Sequence, residues 1–548
     1  TNFKSQKVGT VMKLTFFFFF FQVTGSSHLI EVVGNKVLIV CGLFQGRKQL
    51  EKLNRRKFPF NPADLQAVIL THSHIDHAGL LPRLYSQGFR GKIFATSASA
   101  DLCSVMLPDS AHIQTYDAEL LNRKGKRRGL PPVEPLYTIE EAAECLKLFS
   151  PKEYKECFSP ISGIQARFLD AGHILGSSFV ELTISEKDKE EFTIVFSGDL
   201  GQSGQPIIND PSLIRKADYL VTEGTYGDKV HTDVNREDEL ARIINTTIDR
   251  KGHVVIPSFA VGRAQILLYE LYKLMKAGKI PWIPVYLDSP LAVAATKITM
   301  KHAEDFDEEA RKMLGNAEQW LSNFHFTSSV EESRAINDIP GGAVIISASG
   351  MADAGRIRHH LKYNLWKPEC SVIFVGYQAE GTLGRQLIEG RKKVRILGET
   401  ITVEAEIHKL EGFSAHADKE EIIDWLGHFS TTLKEIFLVH GEEEVLMAFS
   451  EELKKKLKIP VSIPYLGDQY EVLKEKITYV GSTLSASEEL EPDMMDLFHS
   501  FESDYRNYRE ILLNRAVKHP TDSKEVAQRL ARIKRFLRKS IDELDRPE

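Results

Sequence analysis

The chain has 548 residues, 42% of them hydrophobic and 27% charged, with a formal net charge of −6. That length exceeds what one hydrophobic core serves, so two or more packed units are expected. The acidic balance excludes nucleic-acid binding through a globally basic surface and leaves only a local basic groove, and the five scattered cysteines, none in a CxxC pair, exclude a disulfide framework or a cysteine-built zinc site and fit a reducing cytosol.

The first apolar stretch runs from Leu14 through Phe16–Phe21 to Val23. It is shorter than the roughly 20 residues that cross a bilayer. Lysines precede it as in a signal peptide, but no small-residue cleavage site follows, so it reads as a first buried strand. Met12 is a natural start, with Thr1 to Val11 upstream of it. SSHLIEVV and KVLIV, joined at Gly34-Asn35, read as a hairpin. The apolar run at 67–70 leads into Thr71–Gly79, THSHIDHAG, and a helical pattern extends from about Ala78 to Tyr85.

GKIFAT, ARFLDAGH and FTIVFSGD continue the strands. After Pro211 strands and helices alternate. A strand at 253–257 precedes a helix at 263–275, and WIPVYLDS, GAVIISAS and CSVIFVGY are further apolar runs. That rhythm predicts a parallel sheet flanked by helices. Short strands return from Ile401, followed by EIFLVHG and a last strand near Pro460. Beyond Gly467, Met494, Leu497, Phe498, Phe501, Tyr505, Tyr508 and Leu512 keep helical spacing. A second helix follows Pro520, carrying Val526, Leu530, Ile533 and Phe536, with Arg529, Arg532, Arg535 and Arg538 on its other faces. A helical hairpin covering the body or making a dimer contact is the plainer reading. A basic arm for RNA is the sharper one.

The chemistry concentrates in THSHIDHAG. His72 and His74 alternate along an extended loop and project to one side, while Asp76 and His77 diverge as the helix starts. One short loop therefore feeds two adjacent metals. Zinc takes histidine nitrogen and carboxylate oxygen, usually with about four ligands, and two zincs need more ligands than this loop supplies. His173 in AGHILGS, Asp199 in FSGD and His440 in LVHG each end an apolar run and are the candidates for the rest. Taken singly, each is more often structural.

HSHIDH, GH173, SGD199 and LVH440, in that order, resemble the metallo-β-lactamase superfamily over most of residues 12–466. The long insertion between Asp199 and His440 resembles its β-CASP group of RNA- and DNA-processing nucleases, with VTEGTYGD, IPSFAVGRAQ, LDSPLA, SASGM, GYQAEGTLGRQL and FSAHAD. It looks closest to the bacterial and archaeal relatives of the cleavage and polyadenylation nuclease subunit. The resemblance implies an α/β fold, with a metallo-β-lactamase αββα sandwich from 12–212 and 406–466, a β-CASP domain at 213–405 and a C-terminal helical extension at 467–548.

It also implies two zincs per chain. His72, His74 and His173 hold one, Asp76, His77 and His440 hold the other, and Asp199 bridges them. A hydroxide between the metals is the implied nucleophile. His416 matches the group's proposed general acid and Glu223 the acidic residue that orients it, so that Asp76, Glu223 and His416 form the implied catalytic set.

The expected function is hydrolysis of phosphodiester bonds in single-stranded RNA, as a cytoplasmic endoribonuclease with 5′-exonuclease action as a second mode, in a homodimer with no membrane segment. Arg263, Arg356 and Arg385 are candidates to hold phosphates, or are surface arginines on amphipathic helices. Two departures stand out: Val40 occupies the place where the family carries an aspartate after its second strand, and Phe17 to Phe21 stand where it tends to have a small, Gly-rich turn. Two other readings stand beside the nuclease, an inactive RNA-binding or scaffold paralogue and a hydrolase of small thioesters or lactams on the same fold.

Overall fold

The computed structural model describes residues 11–17, 24–46, 48–185, 190–231, 235–314, 320–379, 381–429 and 433–483. Phe18–Phe21 and the helices expected beyond 484, with the dimer contact assigned to them, lie outside the described residues.

Strand order in the first sheet, of eight strands, is Lys476–Ser482, Asp468–Leu473, Met12–Phe16, His28–Val32, Asn35–Ile39, Leu65–Ile69, Lys92–Thr96 and Phe149–Lys152. The second, of seven, runs Val461–Ser462, Glu435–Val439, Tyr219–Glu223, Phe192–Phe196, Ser178–Ile184, Ile164–Asp170 and Phe158–Ile161. Their inner faces share one apolar core: Leu14, Ile30 and Val68 from the first meet Phe168, Val180 and Phe437 from the second. Phe16 joins it through ring contacts of 5.1 Å to Phe437 and 5.9 Å to Tyr470. Burying such a side chain contributes about 1.5–3 kcal/mol. Helices cover the outer faces, Leu81–Ser86 and Ile139–Leu146 on one side and Lys419–Gly427 and Glu443–Leu457 on the other. This is the expected αββα sandwich.

The third sheet has six strands in the order His325–Phe326, Val285–Leu287, Val344–Ser347, Val254–Pro257, Ser371–Phe374 and Glu406–Lys409, each pair parallel. Its four middle strands are short apolar runs crossed over by helices, which is why the alternation was readable. It docks on the sandwich through one core in which Leu102 and Met106 of the helix Ser97–Lys126 and Ile174 of the AGHILGS loop meet Leu267 and Leu271 of the helix Arg263–Lys276. The loop carrying His173 therefore sits at the junction of the two bodies.

Three expectations shift. The hairpin turns at Val33-Gly34, with φ of 50° and 76°, because Val32 pairs with Asn35; Asn35 already belongs to the second strand. Tyr219–Glu223, expected in the insertion from 213, pairs parallel with strands of the sandwich on both sides, and Glu406–Lys409, expected in the return segment, pairs with Ser371–Phe374 of the inserted sheet. Residues 468–482, expected in a helical extension, form two strands that complete the first sheet beside Met12–Phe16.

Candidate metal centre

The strand Leu65–Ile69 ends in the loop that carries His72 and His74, and the short helix Ile75–Ala78 carries Asp76 and His77. Backbone N–H groups of Ser26, Cys41 and Leu43 donate to the carbonyls of Asp76, His77 and Ile75 at 3.2, 2.7 and 2.9 Å and clamp this turn. Gly42 permits the clamp, since a Cβ there would stand 1.6 Å from the Asp76 carbonyl oxygen. Three more strand ends converge on the loop: His173 follows Ile164–Asp170, Asp199 follows Phe192–Phe196, and His440 follows Glu435–Val439.

The side chains form two sets that share one carboxylate. His74 Nδ1 lies 3.2 Å from both His72 Nε2 and His173 Nε2, and Asp199 Oδ2 lies 3.4 Å from each of those two nitrogens. On the other side Asp199 Oδ1 is 3.1 Å from His77 Nε2 and 3.8 Å from His440 Nδ1. His440 Nε2 in turn lies 3.6 Å from Asp76 Oδ2. Within His72, His74, His173 and Asp199, and within Asp76, His77 and His440, the possible ligand atoms lie within 4.8 Å of one another.

Protonation favours a cation. Burial drives His72 down to about 3, with His77 adding repulsion and Asp199 opposing. Burial also lowers His74 and His173. Burial by itself would raise the two acids, but His440 and His77 hold Asp76 below the usual carboxylate range, and His77, His440 and His72 do the same for Asp199. Neutral imidazoles and ionised carboxylates are the forms that bind metal. His440 differs: burial opposes its charge, yet Asp199 and Asp76 push it up to about 9, so a bound metal displaces a proton there.

The fit to a metal also rests on unsatisfied atoms. His77 Nδ1 and Nε2, Asp199 Oδ1 and His440 Nε2 are buried without a hydrogen bond among the described residues. Leaving such atoms bare costs free energy, and a cation between them takes up His77 Nε2, Asp199 Oδ1 and His440 Nε2. The partners of the ligands agree. His173 Nδ1 lies 3.2 Å from the Ala415 carbonyl oxygen, which only accepts, so the proton sits on Nδ1 and the Nε2 lone pair faces the centre.

His416 and Glu223 meet beside this centre. His416 Nδ1 is 3.1 Å from both carboxylate oxygens of Glu223, whose Oε1 also accepts from Leu200 N–H at 2.6 Å. Their loops are bound together, Ala417 N–H donating to Leu200 O at 2.8 Å. The His416 ring centroid is 4.5 Å from that of His173. Burial disfavours charge on His416, but Glu223 overrides it and raises the imidazole above its ordinary value.

The three arginines separate. Arg356 is engaged, with Nη1 donating to Asp288 at 2.7 Å and Nη2 to Ser328 O at 2.8 Å. Arg385 pairs with Glu389 one helical turn on. Arg263 donates to Val375 O and has no carboxylate partner among the described residues.

Several supporting residues escaped the sequence reading. Thr71 Oγ1 lies 3.1 Å from His72 Nδ1, Thr225 Oγ1 lies 3.1 Å from His440 Nδ1, and Ser177 Oγ accepts from His173 N–H at 3.0 Å. The available signal was a hydroxyl inside the ligand motif for Thr71 and Ser177; Thr225 lies 215 residues from His440, in VTEGTYGD, and gave none. Val40 stands in the left-handed region at φ 54° and lines a cavity of about 20 Å³ with Ser26, His28, Thr71, His77 and His440.

Comparison with known proteins agrees with this architecture. The metallo-β-lactamase superfamily matches residues 21–89, the Beta-Casp domain residues 264–387, and the Zn-dependent metallo-hydrolase RNA specificity domain residues 400–464. The chain is 38% identical over 435 residues to Ribonuclease TTHA0252 of Thermus thermophilus, covering 79% of this chain and 94% of that one. It is 30% identical over 450 residues to an RNase J-like protein of Methanocaldococcus jannaschii, covering 81% and 96%. It is also 30% identical over 456 residues to Transcription termination factor FttA of Methanosarcina mazei, covering 80% and 68%. The chain belongs to the metallo-β-lactamase superfamily and, within it, to the β-CASP RNA-processing nucleases.

Proposed function

We propose that the chain is a dizinc ribonuclease that hydrolyses phosphodiester bonds of single-stranded RNA, cutting internally, with trimming from the 5′ end as a second mode. The observation that carries the reading is the shared carboxylate of Asp199, facing one histidine set with Oδ2 and the other with Oδ1. Zinc, when bound, supplies a water acidic enough to act as nucleophile at neutral pH and positive charge for the phosphoryl oxygens.

The chain's own residues do the rest. His72, His74 and His173 would hold one metal and Asp76, His77 and His440 the other, with Asp199 shared between them. Asp76 and Asp199 would orient the attacking water. Glu223 holds His416 by Nδ1, leaving Nε2 to carry the proton delivered to the departing ribose oxygen as its P–O bond breaks. Glu223 orients the imidazole and raises its affinity for that proton.

The inserted parallel sheet supports a polymer substrate over a small thioester or lactam, because the body built on it packs against the loop that carries His173, Ile174 meeting Gly262 and the helix Arg263–Lys276. Relatives named as a ribonuclease and a transcription termination factor support RNA. Among the described residues no helix is long and apolar enough to cross a membrane, and five free cysteines suit a cytoplasmic protein.

The test is cleavage of end-labelled single-stranded RNA by the zinc-loaded chain, with and without chelator, beside His416→Ala. Chelator-sensitive cutting that weakens in the variant is expected, and product lengths separate internal cuts from trimming. A folded, zinc-loaded chain that leaves RNA intact overturns the nuclease reading in favour of a binding or scaffold role.

A further inference from the structure

Next to His416, two cations stand without a carboxylate partner among the described residues. Arg263 opens the helix Arg263–Lys276, and its Nε is buried without an acceptor among the described residues. Burial depresses its pKa to about 10, and no carboxylate among the described residues restores it. Lys229 is exposed and makes no ion pair with a carboxylate among the described residues; its Nζ lies 4.9 Å from the Tyr226 ring and 5.4 Å from the Tyr377 ring. Tyr226 stands edge-on to His416 at 5.8 Å between centroids. The acceptor for Arg263, Val375 O, belongs to the residue before Gly376, so both cations adjoin the Gly376-Tyr377 turn.

Tyr377 is 51% exposed yet rigidly mounted. The buried Gln378 side chain donates from Nε2 to Gly350 O, Gly376 O and Tyr377 O at 2.9, 3.3 and 3.1 Å and ties the turn to the loop after Val344–Ser347. An ammonium over two rings is by itself an ordinary cation–π pair. A held exposed ring, two cations without carboxylate partners among the described residues and direct continuity with His416 together match a nucleotide, which offers a π-face and a phosphate.

We propose that Tyr377, Lys229 and Arg263 form a subsite for the nucleotide that carries the leaving oxygen, its base stacked on Tyr377 and its far phosphate held by Lys229 and Arg263. The proposal rests on the ribonuclease reading and adds which residues grip the strand beyond the scissile bond. Tyr226 is a positioning residue between the grip and His416.

The test measures binding apart from cleavage. Full-length, zinc-loaded chain in a His416→Ala background is titrated with a fluorescent single-stranded RNA, and Kd is read by anisotropy at several salt concentrations. Tyr377→Ala is expected to weaken binding about tenfold and Tyr377→Phe to preserve it, since stacking needs the ring and not the hydroxyl. Lys229→Met is expected to flatten the slope of log Kd against log salt by about 0.7, the value for one phosphate on a single strand. An RNA abasic throughout should bind wild-type ring and Tyr377→Ala equally. Unchanged Kd in Tyr377→Ala with unchanged melting temperature, or an equal loss on natural and abasic RNA, overturns the subsite. If the chain with His416 intact fails to cut RNA while these binding effects appear, the nuclease reading falls, and with it the placement of this nucleotide at a leaving oxygen, while Tyr377 and Lys229 remain an RNA contact.

Discussion

His416 Nδ1 lies 3.1 Å from both carboxylate oxygens of Glu223, which is only 1% exposed while the imidazole side chain is 22% exposed. The buried carboxylate thus anchors one nitrogen and the exposed side of the ring is left to meet substrate. Proton donation requires the charged imidazole, and Glu223 raises the pH to which that form persists against the opposing effect of burial. Turnover of RNA should fall as pH rises through the raised pKa. Glu223→Gln removes the charge, so this alkaline limb should move to lower pH and neutral-pH kcat should drop. A kcat–pH profile for both proteins checks the sign; an unmoved limb in the variant rules out His416 as the titrating donor.

His416→Ala should lower kcat by about 10²–10⁴-fold, the range for a positioned general acid, with zinc content unchanged, because His416 belongs to neither ligand set. Metal analysis beside single-turnover cleavage separates loss of the acid from loss of the metals.

Val40 holds a left-handed φ of 54°, a conformation that β-branched residues rarely adopt and aspartate tolerates. It lines the same small cavity as His77, whose Nδ1 has no hydrogen-bond partner among the described residues. Val40→Asp should supply that partner and tighten zinc about 10–100-fold, the scale typical of groups that orient a metal's ligands. Competition against a chromophoric chelator measures this, and equal affinities in the two proteins would remove Val40 from the account.

Asp288 is a stability centre in the inserted sheet body. It is buried and accepts from His360 Nε2 at 2.6 Å, Ser333 Oγ at 2.6 Å, Thr327 Oγ1 at 2.5 Å and Arg356 Nη1 at 2.7 Å. Burial would raise its pKa, but those bonds, led by His360, hold it below the usual range. A depressed folded pKa gives stability that is present above the unfolded value of about 3.9 and is lost as pH falls through the folded value. Asp288→Ala should cost about 3–5 kcal/mol at neutral pH, since it strands Arg356 and His360. Urea melts of wild type between pH 7 and 3 should show stability dropping at the acid end, with a shallower drop in Asp288→Asn.

The legible and illegible parts differ by range of contact. The ligands read clearly because HSHIDH packs four donors into one turn, and His173, Asp199 and His440 each end an apolar run, where a strand must stop and its loop begin. The pairing of His416 with Glu223 spans 193 residues and came only through the resemblance. Sequence leaves Arg356 open between a phosphate holder and a surface arginine because its partner Asp288 is 68 residues away. The short strands at 468–482 gave little apolar signal, since Lys476–Ser482 is an edge strand with most of its side chains in solvent. Tyr219–Glu223 was assigned to the insertion because its run of apolar residues looks like any buried parallel strand, and only its neighbours Phe192–Phe196 and Glu435–Val439 place it in the sandwich.

The most direct measurement of the central claim is a zinc titration of metal-free protein, following cleavage of a single-stranded RNA as metal is added. Two ligand sets bridged by Asp199 predict two equivalents bound per chain, with cleavage appearing as the second is taken up and Asp199→Ala failing to reach it. Full activity with a single equivalent, or with none, would contradict the dizinc account.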